Sequence, residues 1–271
     1  MTNRSTARMF ELGNTLPAHR LAHSKYGGLF QPTMTQAIRL LSSGPFAAPS
    51  SHPSPVSPGP DLVDPFTNGA LTYSTNGEDS FQAPSAYGSR RHAWVHIFPE
   101  GKIHQKEDYT MRYFRWGVSR LILESEPCPD LVPMWIEGMD QVMHESRTFP
   151  RPVPRIGNFI SVTFGDKVDM ETTFGDLREK WRQLRDKVRR ENGAQPAEEV
   201  GILRDDELKY GEEAVALRKE CTLRVRQEVL KLRRQRGWPD EDPKSSLVET
   251  WKQEGSKKEG LMKDGSWVKD T

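Results

Sequence analysis

No stretch of this sequence approaches the roughly 18 consecutive apolar residues a helix needs to cross a bilayer, so any membrane contact made by these residues is interfacial. Cysteine is nearly missing. Cys128 and Cys221 lie far apart, which excludes a dense disulfide framework and a cysteine metal knuckle and leaves two structural thiols. Net charge is also nearly missing: 39 basic residues against 38 acidic ones leave +1, so no global field draws the chain to nucleic acid, although local patches remain open. Apolar residues make up only 35%, and with 20 prolines and 28% charged residues this excludes one evenly packed globule over all 271 residues. No Ser/His/Asp order, zinc signature, glycine-rich nucleotide loop or paired-acid arrangement is present, and KYGGLF lacks the lysine and Ser/Thr of a phosphate loop. The opening MTNRSTARMFELG places Arg4 and Arg8 ahead of the first acid, Glu11, but has no apolar run of a secretory signal.

What is there divides into ordered and open parts. TLPAHRL reads as a short extended segment, and the period of Met34, Ile38 and Leu41 predicts a helix starting near Pro32 and stopping before Gly44 and Pro45. Between Ser42 and Pro65 seven prolines stand among Ser, Gly and Ala, a composition that cannot build a core, and residues 45–91 read as a flexible insertion. In HAWVHIFPEG, Ala93, Val95 and Ile97 alternate with Trp94, His96 and Phe98, the period of a strand ended by Pro99. Thr110 reads as the cap of a helix whose stripe is Met111, Phe114, Val118, Leu121 and Ile122, with Gly117 inside it. LVPMWI (131–136) and NFISVTFG (158–165) read as two more strands, and strand, helix, strand in that order implies a parallel crossover. Leu177, Trp181, Leu184 and Val188 predict an amphipathic helix over 176–192. A charged helical tract follows at 198–236, with Leu208, Val215, Val225, Val229 and Leu232 among its charges, and 237–271 reads as a loose tail. The expected class is α/β, a mixed or mainly parallel sheet covered by helices, with a disordered insertion and a charged helical C-terminal extension.

The most informative residues are Phe98-Pro99-Glu100-Gly101, at a predicted strand end where ligands of α/β sheets bind. Pro99 stiffens the exit and Gly101 permits an open turn; Glu100 can accept hydrogen bonds from a ligand hydroxyl or a phosphate-binding arginine. A structural turn with a solvent-facing acid is the competing reading. Arg20 is a second candidate because a guanidinium fork suits phosphate, though most arginines are merely exposed. Arg112, Arg115 and Arg120 with Trp116 fit either anionic headgroups or snorkelling on an ordinary amphipathic helix. His92 and His96 read as core or rim residues, and His104 with Asp108 lies in an exposed stretch. KLRRQR (231–236) fits a solvated helix end, with nucleic acid or anionic lipid as the alternative.

HAWVHIFPEGKIHQ, then MRYFRWGVSRLILE, then LVPMWIEGMDQVM resembles the tafazzins, mitochondrial members of the glycerophospholipid acyltransferase superfamily. LGNTLPAHRL with GGLFQPTMTQAIRLLSSG, and FPRPVPRIGNFISVTFGDKVD, resemble the flanking segments, so the likeness covers roughly residues 10–44 and 92–192. The resemblance implies a partial acyltransferase domain over 10–192, interrupted at 45–91, that moves acyl groups between phospholipids and lysophospholipids without coenzyme A. It implies cardiolipin or monolysocardiolipin as substrate in cardiolipin remodelling, peripheral association with the inner or outer mitochondrial membrane, and neither metal nor cofactor. Phosphate or acceptor binding is carried over to Phe98, Pro99, Glu100 and Gly101, the arginine of the preceding block to Arg20, and a site floor to LVPMW (131–135).

One departure matters most. The family pairs a histidine base with an aspartate five residues on, whereas here the residues five beyond the seven histidines are Ser24, Gly28, Ser57, Ile97, Gly101, Tyr109 and Phe149. The resemblance therefore leads us to expect a preceding segment that carries this pair and the usual membrane-associating region. Two other classes stay open: a noncatalytic phospholipid-binding module, and a charged helical protein that binds a protein or nucleic acid through 198–236.

Overall fold

Helix α1, Pro32–Leu40, starts with proline in its first turn, where an absent N–H leaves nothing unsatisfied, and ends at Leu41. It is the first full element of the computed structural model, which describes residues 16, 27–42, 72–73, 81–82, 93–144, 153–193, 200–252, 260–261 and 267–268. Most of the segment 15–21 with Arg20, most of the insertion 45–91, and much of 253–271 fall outside the described residues. After α1 come β1 (Thr72–Tyr73), β2 (Phe81–Gln82), α2 (Gly117–Glu124), β3 (Met134–Glu137), α3 (Met139–Val142) and β4 (Ser161–Phe164). They are followed by α4 (Met170–Glu191), α5 (Asp206–Tyr210), α6 (Glu212–Gln235), a 3-10 turn (Pro243–Ser246), α7 (Val248–Lys252), β5 (Gly260–Leu261) and β6 (Trp267–Val268). The chain forms two compact units, one of Met1–His96, Arg120–Pro129 and Trp181–Ala214, the other of Ile97–Ser119, Asp130–Lys180 and Val215–Thr271.

In the first unit, Ala37 and Ile38 of α1, Leu121 to Leu123 of α2, and Trp181, Leu184 and Val188 of α4 are buried. Large apolar side chains of this kind contribute about 1.5–3 kcal/mol each on full burial. Buried cations are satisfied by backbone carbonyls. Arg39 Nε donates to Val200 C=O at 3.2 Å, and Gly201 C=O accepts both Thr35 Oγ1 at 2.8 Å and Arg120 Nη2 at 2.9 Å. Arg120 also grips Glu124 one turn on with bonds of 2.7 and 2.6 Å and stands over the Phe30 ring. This is a fully partnered buried pair, the arrangement that lets two charges leave water.

The second unit holds the only four-residue strands among the described residues, and here the sheet expectation needs correcting. β3 and β4 pair antiparallel, with Trp135 opposite Thr163 and Ile136 opposite Val162, and the other described strand pairs are antiparallel too. Residues 93–98, expected as the first strand, form neither helix nor strand and have no strand partner among the described residues. Their alternation survives: Ala93, Val95 and Ile97 are half-buried while Trp94, His96 and Phe98 are exposed. Alternating burial alone does not make a strand, since a ladder needs a neighbour as well.

Helix α2 begins at Gly117 and not at Thr110, although all five predicted stripe residues are buried. The cause is local. Thr110 turns its hydroxyl to Asp108 at 2.6 Å, Tyr109 takes a left-handed φ of 51°, Arg226 takes the Met111 and Arg112 carbonyls, and the Arg115 N–H goes to Pro99 C=O. Helix α4 starts earlier than its stripe suggested because Asp169 accepts the Thr172 N–H and hydroxyl, an N-terminal cap. The tract 198–236 is divided at Gly211 into α5 and α6; Leu208, Val225 and Leu232 are buried, Val215 and Val229 only partly. Residues 238–252, inside the stretch expected to be a loose tail, carry the 3-10 turn and α7, with Trp251 buried and its indole donating to Ser245 C=O at 2.8 Å. No helix of the described residues is long and apolar enough to cross a membrane.

Candidate functional site

The turn Phe98 to Gly101 is closed by the Gly101 N–H donating to Phe98 C=O at 3.0 Å. Gly101 sits at φ +63°, and a Cβ there would come within 2.8 Å of Arg115 Cδ and Nε. Glycine is thus favoured by conformation, while the exposed Arg115 side chain can swing aside. The segment after the turn folds back on it: the Arg115 N–H donates to Pro99 C=O at 2.7 Å, and the Arg112 N–H donates to Glu100 Oε2 at 2.9 Å. The Phe98 ring points to solvent, 67% exposed, and so does the Arg115 side chain.

Glu100 is the titrating centre of this arrangement. Burial pushes its carboxyl above the ordinary carboxylate range; the Arg112 N–H and the positive charges of Arg226 and Arg112 oppose the rise, and Glu241 adds to it. Because the folded value is raised, ionisation disfavours the native state. The associated stability is present below the ordinary carboxylate range and is lost as pH rises through the raised value.

The other sequence candidates separate clearly. Arg112 is buried with its guanidinium 4.5 Å from the Trp251 ring centre, and Arg120 is locked to Glu124, so of the three arginines only Arg115 faces solvent. Neither the headgroup reading nor the snorkelling reading describes Arg112 and Arg120, which are interior groups. Trp116 is half-buried with Lys219 at 5.7 Å. His104 lies edge-on to Trp251 at 4.7 Å while Asp108 holds Thr110, so these two do not form a dyad. His96 is exposed, and His92 and Arg20 lie outside the described residues. In KLRRQR every cation has an acid: Lys231 with Glu228, Arg233 with Glu241, Arg234 with Asp240 and Arg236 with Glu137. That run offers no unmatched basic stripe.

LVPMW supplies β3, whose Trp135 is buried and donates to Glu137 Oε1 at 2.9 Å. Glu137 also takes Trp238 Nε1 at 2.6 Å and Arg236 at 2.8 Å. Burial works against it, but these three donors hold the carboxyl below its usual range.

Two residues of the site escaped the sequence reading. Arg226 and Glu241 lie in a tract where charge looks like solvated surface, yet both are interior and pair at 2.5 Å. A signal existed: Arg218, Arg226 and Arg233 each directly follow a buried stripe residue, Leu217, Val225 and Leu232, and all three are buried. Among the described residues no group of His, Cys, Asp and Glu could hold a metal ion.

No family model matches the chain. Against curated proteins it is 30% identical to the tafazzin of Saccharomyces cerevisiae over 262 residues, 92% of this chain and 60% of the relative. It is 34% identical to the tafazzin of Drosophila melanogaster over 88 residues, 32% of this chain and 22% of that protein. It is 29% identical to the N-acylphosphatidylethanolamine synthase of Arabidopsis thaliana over 109 residues, 40% of this chain and 36% of that protein. The chain therefore spans about three fifths of the yeast relative's length, and it belongs to the tafazzin family.

Proposed function

We propose that this chain is the acceptor-binding part of a phospholipid–lysophospholipid transacylase that works without coenzyme A in cardiolipin remodelling at a mitochondrial membrane. The observation that carries the reading is the match to yeast tafazzin along 92% of the chain. Arg20, Phe98, Pro99, Glu100 and Gly101 bind the phosphate or headgroup of the acceptor, cardiolipin or monolysocardiolipin. In support, the turn is preset by Pro99 and Gly101, and the solvent-facing Arg115 lies against it. Since no histidine here is followed five residues on by aspartate, this chain positions lipid and needs the pair from elsewhere for turnover. The test is acyl exchange from labelled phosphatidylcholine to monolysocardiolipin without coenzyme A; its expected pattern is developed in the Discussion.

Peripheral contact with the inner or outer mitochondrial membrane is supported by an apolar patch at 153–164. Ile156, Phe159, Val162 and Phe164 are 97%, 79%, 47% and 64% exposed. In β4 the ordinary pattern is inverted, with Ser161 and Thr163 half-buried and Val162 and Phe164 turned outward. Residues 147–165 contain Arg147, Arg151 and Arg155 and no acid, the composition that suits an anionic lipid surface. Replacing Phe159 and Phe164 together by serine is expected to weaken pelleting with cardiolipin-containing vesicles by roughly 10-fold or more, since each ring is worth about 1.5–3 kcal/mol when fully buried. Elution on gel filtration should not change. Unaltered pelleting would place the lipid contact elsewhere, and a shift in elution would identify the patch as a contact between copies.

A further inference from the structure

The backbone of residues 108–112 is held in an irregular path by charged side chains that arrive from more than a hundred positions away. Arg233 Nη2 donates to Asp108 C=O at 2.8 Å and its Nε to Tyr109 C=O at 3.2 Å. Arg226 Nη2 donates to Met111 C=O at 2.9 Å and its Nε to Arg112 C=O at 3.1 Å. The N–H groups of the same residues are taken by carboxylates, Met111 by Glu241 Oε1 at 2.5 Å and Arg112 by Glu100 Oε2 at 2.9 Å. Glu241 closes the circuit through Arg226 at 2.5 Å and Arg233 at 3.4 Å. All three of these charged side chains are nearly inaccessible, 6%, 3% and 1% exposed for Arg226, Glu241 and Arg233.

We infer that Arg226 and Glu241 are positioning residues for Glu100: by fixing the 111–112 peptide they set where the N–H that holds the Glu100 carboxylate points. Both residues lie beyond the segments on which the motif resemblance rests, 10–44 and 92–192, and come from helix α6 and the stretch behind it. Two features argue against mere glue. A buried arginine bridging two consecutive carbonyls fixes the orientation of the peptide between them, and that peptide carries the N–H directed at Glu100. The pair also brings one charge of each sign to act on the Glu100 carboxyl, alongside that of Arg112. A neutral, apolar support would leave the Met111 and Arg112 carbonyls and the Met111 N–H without these partners and would place no charge near that carboxyl.

The role of Glu100 in lipid binding rests on the acceptor-site reading above; its dependence on the pair does not. Two variants separate them. The full chain, labelled with 13C at glutamate carboxyls and assigned by loss of one resonance in Glu100→Gln, gives the titration midpoint of Glu100 directly. Glu241→Gln keeps an oxygen for the Met111 N–H but removes the negative charge, so the midpoint should fall. Arg226→Met removes the positive charge and the carbonyl bridge, so the midpoint should rise. Opposite shifts report the two charges; positioning is read at the Arg112 amide, whose hydrogen-exchange protection should fall in both folded variants, and protection unchanged in both overturns the inference. If Arg226→Met does not fold by circular dichroism, Glu241→Gln decides alone. A folded Glu241→Gln whose Glu100 titrates as in the unaltered chain overturns the inference. Sedimentation with monolysocardiolipin-containing vesicles across the same pH range then tests the acceptor reading by itself: if the Glu100 midpoint moves and vesicle binding does not follow it, the positioning pair stands and the lipid role of Glu100 falls.

Discussion

Gly138→Ala is expected to cost about 2–5 kcal/mol of stability, seen as a fall of roughly 5–15 °C in the thermal midpoint by circular dichroism. Gly138 ends β3 at φ +86°, a conformation strained for any residue with a Cβ. A Cβ there would stand 2.2 Å from the Phe159 carbonyl oxygen and 3.2 Å from its carbon, both backbone atoms that cannot swing aside. Relief requires β3 and the chain entering β4 to separate at the end where Glu137 faces Ser161. The same movement pulls the Gly138 N–H from the Tyr109 hydroxyl, 3.1 Å away, and that hydroxyl from Asp140 at 2.8 Å. Gly157 provides the control, since its φ is also +86° and a Cβ there meets nothing within 4 Å. Gly157→Ala should therefore show the backbone term alone, about 1–2 kcal/mol. Equal losses in the two variants would remove the Phe159 contact as the cause.

Helices were readable wherever an apolar period met a local stop or start signal. Pro32 and the Met34, Ile38, Leu41 spacing place α1 nearly to the residue, and Leu177, Trp181, Leu184 and Val188 are all buried in α4. Signals that depend on distant partners were not readable. The alternation at 93–98 is present in burial, but whether an extended segment becomes a strand is decided by another segment's edge. The start of α2 moved from Thr110 to Gly117 because Arg226 claims the Met111 and Arg112 carbonyls a helix would need while the Arg115 N–H goes to Pro99, and Arg226 is 115 positions from Met111. Arg226 and Arg233 were signalled only by following the stripe residues Val225 and Leu232; amid so many charges, what they bind shows only when carbonyls at 108, 109, 111 and 112 are seen to receive them. At the candidate site, the FPEG turn could be placed from Pro99 and Gly101 alone. Its electrostatics could not, since the charges acting on Glu100 come from Arg112, Arg226 and Glu241.

Acyl exchange should separate binding from turnover by a wide margin. This chain alone is expected to move no more label from phosphatidylcholine to monolysocardiolipin than protein-free vesicles do, because a positioned lipid still needs a base to deprotonate its acceptor hydroxyl. None of His19, His23, His52, His92, His96, His104 and His144 is followed five residues later by aspartate. Joining a family-like segment with that histidine and aspartate ahead of Met1 should raise exchange by roughly 10²–10⁴-fold, the usual worth of a general base. Introducing Glu100→Ala into the extended chain should lower exchange again by roughly 10-fold or more, from loss of a charge-assisted hydrogen bond worth about 1.5–3 kcal/mol. The loss includes the partner of the Arg112 N–H, so Glu100→Gln is the necessary companion: it keeps an oxygen for that N–H and removes only the charge. If Glu100→Gln behaves like Glu100→Ala in exchange while both remain folded, the carboxylate charge acts in acceptor binding. If Glu100→Gln exchanges like the unaltered extended chain, Glu100 serves the turn alone and the acceptor site must be sought at Arg115 and Arg20. Robust exchange by this chain without the added segment would overturn the division itself, and would mean that one of its seven histidines finds its acid through the fold and not through spacing.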